Sequence, residues 1–180
     1  MKFNYEGKKD MIRKATQKDL MDILEIYNDA ILNTTAVYAY KPQTLENRQI
    51  WFDQKMAEDY PILVFELDHK VVGFATFGPF RAWPAYKYSI EHSIYVNNEY
   101  RKKGIGTSLM KELILIAKDR EFKTLIAGID VDNKNSIAMH LNFGFEHSGT
   151  IKKAGYKFNR WLDLAFYQLD LIGPKNPIEE

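Results

Sequence analysis

The stretch Glu91-His-Ser-Ile-Tyr-Val-Asn-Asn-Glu-Tyr-Arg-Lys-Lys-Gly-Ile-Gly-Thr-Ser108 governs the interpretation of the whole chain. It predicts an apolar strand over 90–96, a polar turn, a basic loop with two glycines, and a helix with apolar residues at three- and four-residue steps. The beginning of a helix carries backbone N–H groups without acceptors and the positive end of the helix dipole. Because such an end binds phosphate readily, the stretch predicts a phosphorylated cofactor.

The loop itself supports this prediction. Gly104 and Gly106 let the backbone approach an anion closely, since no side chain intervenes, and Arg101, Lys102 and Lys103 add positive charge. Taken alone, the two lysines are equally compatible with a solvated basic turn. The spacing lacks the third glycine of the dinucleotide-binding fingerprint and the Gly-Lys-Ser/Thr of a Walker loop, so neither motif is present.

Composition limits the classes of protein that remain. A chain of 180 residues is most simply one domain, and an apolar fraction of 46% supports a sizeable core. The formal net charge of +1 gives no indication of a nucleic-acid or membrane surface as partner. The absence of cysteine excludes disulfides, thiolate metal sites and a cysteine acyl-enzyme. Four scattered histidines show no metal-ligand spacing, so no metal site is predicted.

Targeting signals are equally absent from the pattern. No apolar run approaches the roughly 20 residues that cross a bilayer, and residues 1–10 lack the apolar centre of a signal peptide. We therefore expect a cytoplasmic protein, with 1–10 as a loose N-terminal extension, 11–172 as a single domain and 173–180 as a flexible tail.

The predicted elements indicate an α/β fold. A hairpin comes first and strands then alternate with helices, which predicts a mixed sheet with helices on both faces. The predicted strands are 12–15, 62–67, 71–77, 90–96, 124–130, 145–151 and 161–171, with residues 152–160 joining the last two. The predicted helices follow Thr16, Thr44 and Gly106 and span 133–142, the last one closed by Gly144 in a left-handed conformation.

With these elements in place, the loop resembles the (Arg/Gln)-x-x-Gly-x-(Gly/Ala) motif of the GNAT superfamily of N-acetyltransferases, which cradles the pyrophosphate of acetyl-CoA. From about Met11 to Leu171 the chain resembles one branch, the phosphinothricin and methionine sulfone/sulfoximine N-acetyltransferases. The residues that carry the resemblance are Phe77-Gly78 with Arg81, Glu91 to Val96, Arg101 to Gly106, Ala127-Gly128-Ile129 with Asn133, Ser136 and His140, and Gly155 with Lys157 and Arg160 to Asp163. The resemblance implies the GNAT acyl-CoA N-acyltransferase fold with six or seven strands.

The resemblance also implies which residues bind acetyl-CoA. A strand edge pairs its backbone with the pantetheine arm and polarises the thioester carbonyl, and the glycine loop holds the pyrophosphate. Two asparagines match further polar contacts to the cofactor. The implied cofactor-binding residues are Ile94, Tyr95 and Val96 of the strand, Arg101, Lys102, Lys103, Gly104, Ile105, Gly106 and Thr107 of the loop, and Asn133 and Asn142.

For the acceptor substrate, the resemblance implies Glu91 as the catalytic carboxylate and Arg81 as the partner of an amino-acid carboxylate. Further lining is implied for Ala82, Trp83, Tyr86, His92 and Ser93. Phosphinothricin enzymes carry a second basic residue where this chain has Trp83. The methionine-sulfone group has an aromatic residue there and shares Glu-His-Ser, so the chain is more similar to that group.

The chemistry points to the same residue. An α-ammonium group must lose its proton before it attacks a thioester, and a carboxylate whose pKa is raised by burial suits that task. Glu91 is the predicted base, with a structural ion pair as the alternative for it and His92 as the alternative base. A backbone N–H near Tyr95 or Val96 is the predicted oxyanion donor. Without cysteine, direct attack in a ternary complex is favoured.

Strand alternation makes a prediction about these side chains. It places Glu91, Ser93 and Tyr95 on one face and His92 with its apolar neighbours on the other, unless a bulge intervenes.

The sequence therefore predicts an acetyl-CoA-dependent N-acetyltransferase acting on the α-amine of a small amino acid or analogue. Two alternatives stay open at this point: an acetyltransferase for a peptide N-terminus or another amine, and a non-catalytic acyl-CoA sensor. The resemblance further implies a homodimer, since the family is commonly dimeric.

Overall fold

A computed structural model describes residues 2–5 and 8–179, with side chains from residue 11 onward. The described part contains eight strands and four α-helices. The strands are β1 (Lys2–Tyr5), β2 (Lys8–Lys14), β3 (Ile62–Leu67), β4 (Lys70–Pro79), β5 (Ser89–Val96), β6 (Thr124–Asp130), β7 (Glu146–Lys157) and β8 (Arg160–Asp170). The helices are α1 (Leu20–Asn33), α2 (Leu45–Ala57), α3 (Ile105–Asp119) and α4 (Lys134–Asn142).

The chain forms two compact units. The first takes in the chain up to Thr34, Lys41–Phe77 and Ser93–Leu113, and the second takes in Thr35–Tyr40, Gly78–His92 and the chain from Ile114 onward. In the first unit the strand order is β1-β2-β3-β4-β5, and in the second it is β5-β6-β8-β7. Antiparallel pairs join β1 to β2, β2 to β3, β3 to β4, β6 to β8 and β8 to β7, whereas β5 and β6 are parallel.

This mixed sheet with its helices confirms the predicted fold class. Seven of the strands are those expected, and β1 is an additional one. The strand β1 and the start of β2 lie in 1–10, the range expected to be a loose extension. Met1, Glu6 and Gly7 lie outside the described residues, and the proposed domain limits at 11 and 172 stay predictions.

The core of the first unit follows from the pattern of α1. Leu20, Ile23 and Ile26 recur at three-residue steps, so one face of the helix is buried. They pack in a cluster that includes Val64 and Phe74 of the sheet. The burial of these side chains fixes α1 and α2 on β3 and β4, since each removes apolar surface from water.

The second unit differs from the prediction at its hairpin. Residues 152–160 were expected to join two strands, but β7 continues to Lys157 and pairs with β8 through Lys157↔Arg160. The turn between them is only Phe158 and Asn159, both with positive φ (51° and 58°), which is the two-residue geometry that matches strand twist. Phenylalanine rarely adopts this conformation, and Asn159 alone was too weak a signal to place the turn.

The predicted end of α4 is confirmed. Gly144 has a φ of +85°, the left-handed conformation that glycine adopts without a Cβ penalty. The N–H groups of Phe143 and Gly144 donate to the carbonyls of His140 and Leu141, so the last turn of the helix is closed by backbone hydrogen bonds.

Candidate functional site

The loop before α3 has the geometry of an anion site. The N–H of Ser108 donates to the Gly104 carbonyl (3.0 Å) and opens the helical ladder. The N–H groups of Ile105, Gly106 and Thr107 therefore precede the first helical hydrogen bond and have no acceptor within the helix. Gly104 has a φ of +80°, and a Cβ built on it would meet no atom within 4 Å. The backbone in front of α3 is thus open to a ligand.

Arg101 and the two lysines of this loop have different surroundings. Arg101 donates from Nε to the Val96 carbonyl (3.1 Å) and from Nη2 to the Asp29 carboxylate (3.1 Å), so it fixes the loop onto β5 and α1. Lys102 and Lys103 are exposed, and they supply the positive charge at the rim. The prediction that Arg101 binds the cofactor stays untested, and the structure adds a positioning role for it.

The last residues of β5 present backbone groups to two edges. The Asn97 N–H donates to the Val72 carbonyl (2.9 Å), and the Tyr95 carbonyl lies 3.2 Å from a Cβ built on Gly73, so both residues face β4. Since backbone groups alternate along a strand, the N–H groups of Ile94 and Val96 point to the opposite edge.

The first residues of β5 follow the predicted alternation. Ile90 and His92 are buried and Glu91 and Ser93 are half-buried, whereas Ile94, Tyr95 and Val96 are all half-buried, so burial separates the two faces only up to Ser93. The register with β6 runs without a shift through Ser89↔Thr124, Ile90↔Leu125 and Glu91↔Ile126. This register covers residues 89–91, so the placement of Tyr95 on the same face as Glu91 stays a prediction.

Glu91 has the properties of a poised carboxylate. Desolvation by burial raises its pKa, and the nearby Arg81 guanidinium opposes part of that rise. Its Oε1 lies 3.2 Å from a Cβ built on Gly128, so the carboxylate rests on the β6 backbone where no side chain stands. The carboxyl group therefore combines partial burial with a neighbouring cation, a combination typical of functional sites.

Arg81 lies on an aromatic platform in the same unit as Glu91. Its guanidinium is 4.1 Å from the centroid of the Phe80 ring, and Nη1 donates to the Phe80 carbonyl (2.9 Å). Phe80 in turn packs edge-on against Tyr86 and Phe166 (ring centroids 5.9 and 6.3 Å apart). Arg81 is exposed, so its remaining donors are accessible to a carboxylate.

The rest of the predicted substrate loop is at the surface. Ala82 is exposed, and Trp83 is 75% exposed immediately before the short 3-10 helix Pro84–Tyr86. A large apolar side chain with this exposure is available to contact a ligand or another protein surface.

His92 is part of a buried pair that the sequence did not indicate. Its Nε2 lies 3.1 Å from Nε2 of His140 on α4, with the rings stacked 5.1 Å apart, and Phe145 packs edge-on against both. Burial, and then the His140 neighbour, lower the pKa of His92 to about 3. An imidazole with so low a pKa accepts a proton poorly near neutral pH, so His92 is disfavoured as the base. Two histidines 48 positions apart give no spacing signal.

The hydrogen bonds assign the tautomers of this pair. Nδ1 of His140 lies 2.6 Å from the Ser136 carbonyl, which only accepts, so that nitrogen carries a proton. Neutral His140 then accepts at Nε2, and His92 donates from its own Nε2. Nδ1 of His92 is consequently a buried acceptor, and it has no partner among the described residues.

The pair predicts a loss of stability in acid. Burial lowers the pKa of His92 and of His140 in the folded protein, whereas in the unfolded chain they titrate near 6.5. Below pH 6.5 the unfolded state therefore binds more protons, and stability falls as the pH drops from 6.5 toward about 3. Urea unfolding at about four pH values between roughly 4 and 7 measures how the free energy of unfolding depends on pH.

The variant for this test is His92→Asn combined with His140→Asn, which removes both titrating rings. We expect the double variant to lose less stability than the wild type over the same pH interval. His69→Gln is the control, since the His69 side chain is 90% exposed. A double variant with the wild-type slope would contradict the assignment.

The two predicted cofactor asparagines lie at opposite ends of α4. Oδ1 of Asn133 accepts from the Ser136 N–H (3.1 Å) and caps the helix, which leaves its side-chain amide group for another partner. Asn142 is exposed at the last residue of the helix. Both stay predictions as cofactor contacts.

Neither a metal site nor a membrane span is found in the described part of the chain. Among the side chains described, from residue 11 to residue 179, no three of His, Asp or Glu are grouped to hold a metal ion. None of the helices formed there is both long and apolar enough to cross a membrane.

Comparison with known proteins places this geometry in context. The family model described as acetyltransferase (GNAT) domain matches residues 12–166 of the chain. That range includes the glycine loop before α3, the strand that carries Glu91, and α4.

Individual relatives agree with this match. The L-methionine sulfoximine/L-methionine sulfone acetyltransferase of Pseudomonas aeruginosa is 44% identical over 161 residues, covering 89% of this chain and 94% of that protein. The phosphinothricin N-acetyltransferase of Streptomyces viridochromogenes is 33% identical, covering 92% and 90%. A putative acetyltransferase of Salmonella typhimurium, solved with its cofactor acetyl-CoA, has a TM-score of 0.90 at 37% identity and covers 94% and 98%.

Proposed function

Because the chain belongs to the GNAT family of acetyltransferases, we propose that it transfers the acetyl group of acetyl-CoA to the α-amine of a small amino acid, with methionine sulfone and methionine sulfoximine as the preferred acceptors. The observation that carries the proposal is the placement of Glu91 and Arg81 in one unit, on two sides of the same aromatic wall. Arg81 lies on the Phe80 ring, which packs edge-on against Phe166, and a Cβ built on Gly128 would meet both Phe166 and the Glu91 carboxylate. An amino acid offers an ammonium group to the first and a carboxylate to the second. The identity to the Pseudomonas enzyme supports this acceptor class.

The residues before and within α3 fit the pyrophosphate of acetyl-CoA. The N–H groups of Ile105, Gly106 and Thr107 have no helical acceptor, and Lys102 and Lys103 lie at the exposed rim. Several charge-assisted hydrogen bonds to one diphosphate make a strong anchor. Asn133 and Asn142 are proposed as additional polar contacts.

The edge of β5 opposite β4 fits the pantetheine arm that carries the acetyl group. The N–H groups of Ile94 and Val96 point away from β4, whereas the Tyr95 carbonyl points toward it. We therefore assign the oxyanion-stabilising hydrogen bond to the Val96 N–H rather than to Tyr95. The Val96 carbonyl already accepts from Arg101, which holds this part of the strand in place.

Glu91 supplies the base. The carboxylate takes a proton from the acceptor's ammonium group, directly or through one water, and the freed amine nitrogen attacks the thioester carbonyl. The new C–N bond forms, the C–S bond breaks, and the nitrogen loses a second proton as it becomes an amide. That proton balances the one gained by the sulfur, which leaves as the thiol of coenzyme A. Because its pKa is raised, Glu91 is a stronger base than an ordinary glutamate, and it takes the proton from the ammonium group at a smaller cost in free energy.

Trp83 is proposed as the selector among acceptors. It is 75% exposed, carries no charge, and follows Arg81 by two residues. One guanidinium is enough for the single carboxylate of methionine sulfone. A doubly anionic acceptor such as phosphinothricin needs a second cation, so we expect it to be a poorer substrate.

We further propose that the protein is a cytoplasmic homodimer. The end of the β7–β8 hairpin exposes Tyr156, Phe158 and Trp161, each between 46% and 59%. A cluster of exposed aromatic side chains of this kind favours a protein–protein contact.

Thiol release from acetyl-CoA, measured across a panel of amines, tests the proposed function. The panel contains methionine sulfone, methionine sulfoximine, phosphinothricin, ordinary amino acids and a short peptide. We expect the highest kcat/KM with the sulfone or sulfoximine and a lower value with phosphinothricin. Preference for the peptide would identify a protein-directed enzyme, and acetyl-CoA binding without turnover on any amine would identify a sensor.

A further inference from the structure

Gly128 lies at the one exposed position of an otherwise buried run on β6. Leu125, Ile126 and Ala127 are buried before it and Ile129 and Asp130 after it, whereas Gly128 is exposed. Glycine is unfavourable inside a strand and often marks a place where another group approaches the backbone. The exposure shows that solvent reaches the sheet at this point.

The group that approaches Gly128 is the Glu91 carboxylate. Glu91 pairs with Ile126, and Gly128 lies two residues further along β6 on the same face of the sheet. A Cβ built on Gly128 would lie 3.2 Å from Oε1 of Glu91 and 3.4 Å from Cδ1 of Leu164. The first contact is tighter than most Cβ contacts and the second is close to ordinary van der Waals distance, so an added methyl group would shift the carboxylate by a few tenths of an ångström.

The surroundings of Gly128 form an apolar wall beside that carboxylate. Gly128 pairs with Phe166 of β8, and Cε1 of Phe166 lies 3.7 Å from the built Cβ. Leu164 and Phe166 are half-buried, so the wall is accessible along one side. Phe166 in turn packs edge-on against the Phe80 ring, on which the Arg81 guanidinium lies.

We propose that Gly128 is a positioning residue for Glu91 and the floor of the opening through which the acceptor amine, or one bridging water, reaches the carboxylate. The inference rests on the proposed function, in which Glu91 is the base. A side chain at position 128 would move Oε1 of Glu91 and fill the space beside the carboxylate. Because small displacements of a catalytic group reduce turnover strongly, the effect falls on kcat.

Substitution at Gly128 is compatible with the fold. Its φ lies outside the left-handed range, so an L side chain adds no backbone strain there. Alanine and valine are therefore suitable graded replacements, and valine is favourable in strands. Acetyl-CoA binding and the thermal midpoint verify that each variant is folded.

The test is a double-mutant cycle with Glu91→Gln, using methionine sulfone as acceptor. We expect Gly128→Ala to lower kcat about tenfold and Gly128→Val about 100-fold, with the Kd for acetyl-CoA unchanged. In the Glu91→Gln background both should change kcat less than about twofold, since a displaced base has no further function to lose. The acid limb of the kcat/KM profile should also shift in Gly128→Ala.

The outcomes separate the inference from the proposed function. Equal effects of Gly128→Ala in both backgrounds, or a wild-type kcat and acid limb in Gly128→Ala, would overturn the positioning role. Full recovery of Gly128→Ala by Leu164→Ala would also overturn it, because the loss would then come from crowding of Leu164. A wild-type rate in Glu91→Gln alone would instead remove Glu91 as the base.

Discussion

Replacement of Glu91 by glutamine is expected to lower kcat for methionine sulfone by about 10²- to 10⁴-fold, the usual contribution of a general base. The amide has nearly the shape of the carboxylate but does not accept a proton from the ammonium group. The Kd for acetyl-CoA should stay the same, since the residues proposed to bind its pyrophosphate lie at the start of α3. Steady-state kinetics and calorimetric titration measure the two quantities.

The pH profile gives this prediction a second readout. Burial raises the pKa of Glu91, so a protonated and inactive carboxyl group should limit kcat/KM on the acid side at a higher pH than for an ordinary glutamate. That limb should be absent from Glu91→Gln. Glu99→Gln, which changes an exposed carboxylate in the turn after β5, is the control. An unchanged rate in Glu91→Gln would contradict the assignment of the base.

Replacement of Arg81 by alanine is expected to raise the KM for amino-acid acceptors by about 10- to 100-fold, since a hydrogen bond to a charged group contributes about 1.5–3 kcal/mol. The guanidinium lies on the Phe80 ring with accessible donors, so it can meet a carboxylate without rearrangement of the core. The KM for acetyl-CoA should change less than about twofold by the same reasoning, because the lost hydrogen bond is not made to the cofactor.

A matched acceptor isolates the carboxylate in this test. Methionine sulfone carboxamide lacks the negative charge, so wild-type enzyme should discriminate strongly between acid and amide, and Arg81→Ala should not. Lys87→Ala is the control for loss of a cation in the same loop. Similar changes in the KM values for acceptor and acetyl-CoA, or undiminished discrimination in Arg81→Ala, would argue against a carboxylate partner.

Local patterns predicted the central part of the molecule well because the physics there is local. The helix expected after Gly106, which begins at Ile105 as α3, follows from apolar periodicity. The separation of Glu91 from His92 onto opposite faces follows from the two-residue repeat of a strand. The left-handed Gly144, two residues beyond Asn142, follows from the frequent use of glycine just after a helix end. None of these features depends on contacts distant in sequence.

Features that depend on distant contacts were not predictable. His92 and His140 meet only after α4 packs on β5, so the sequence did not indicate that His92, a predicted lining residue of the substrate site, lies in a buried pair. The contacts of the Arg101 guanidinium with Val96 and Asp29, the latter 72 positions away, were likewise not predictable, and its role at the cofactor stays a prediction. A motif identifies the loop but not the partner of each side chain.

The role of Gly128 had a weak sequence signal. A glycine within an apolar strand indicates close approach of another group, but the sequence does not say which group. The parallel pairing of Glu91 with Ile126 supplies that answer. The long β7 lacked any comparable signal, because its turn uses Phe158 in a conformation that phenylalanine seldom adopts.

Mass-spectrometric analysis of the product formed from isotope-labelled acetyl-CoA and methionine sulfone tests the central claim most directly. The account predicts one labelled acetyl group on the α-nitrogen, released together with an equal amount of thiol, and very little product from Glu91→Gln in the same time. Absence of labelled methionine sulfone from a protein that binds acetyl-CoA, or equal product from Glu91→Gln, would contradict it.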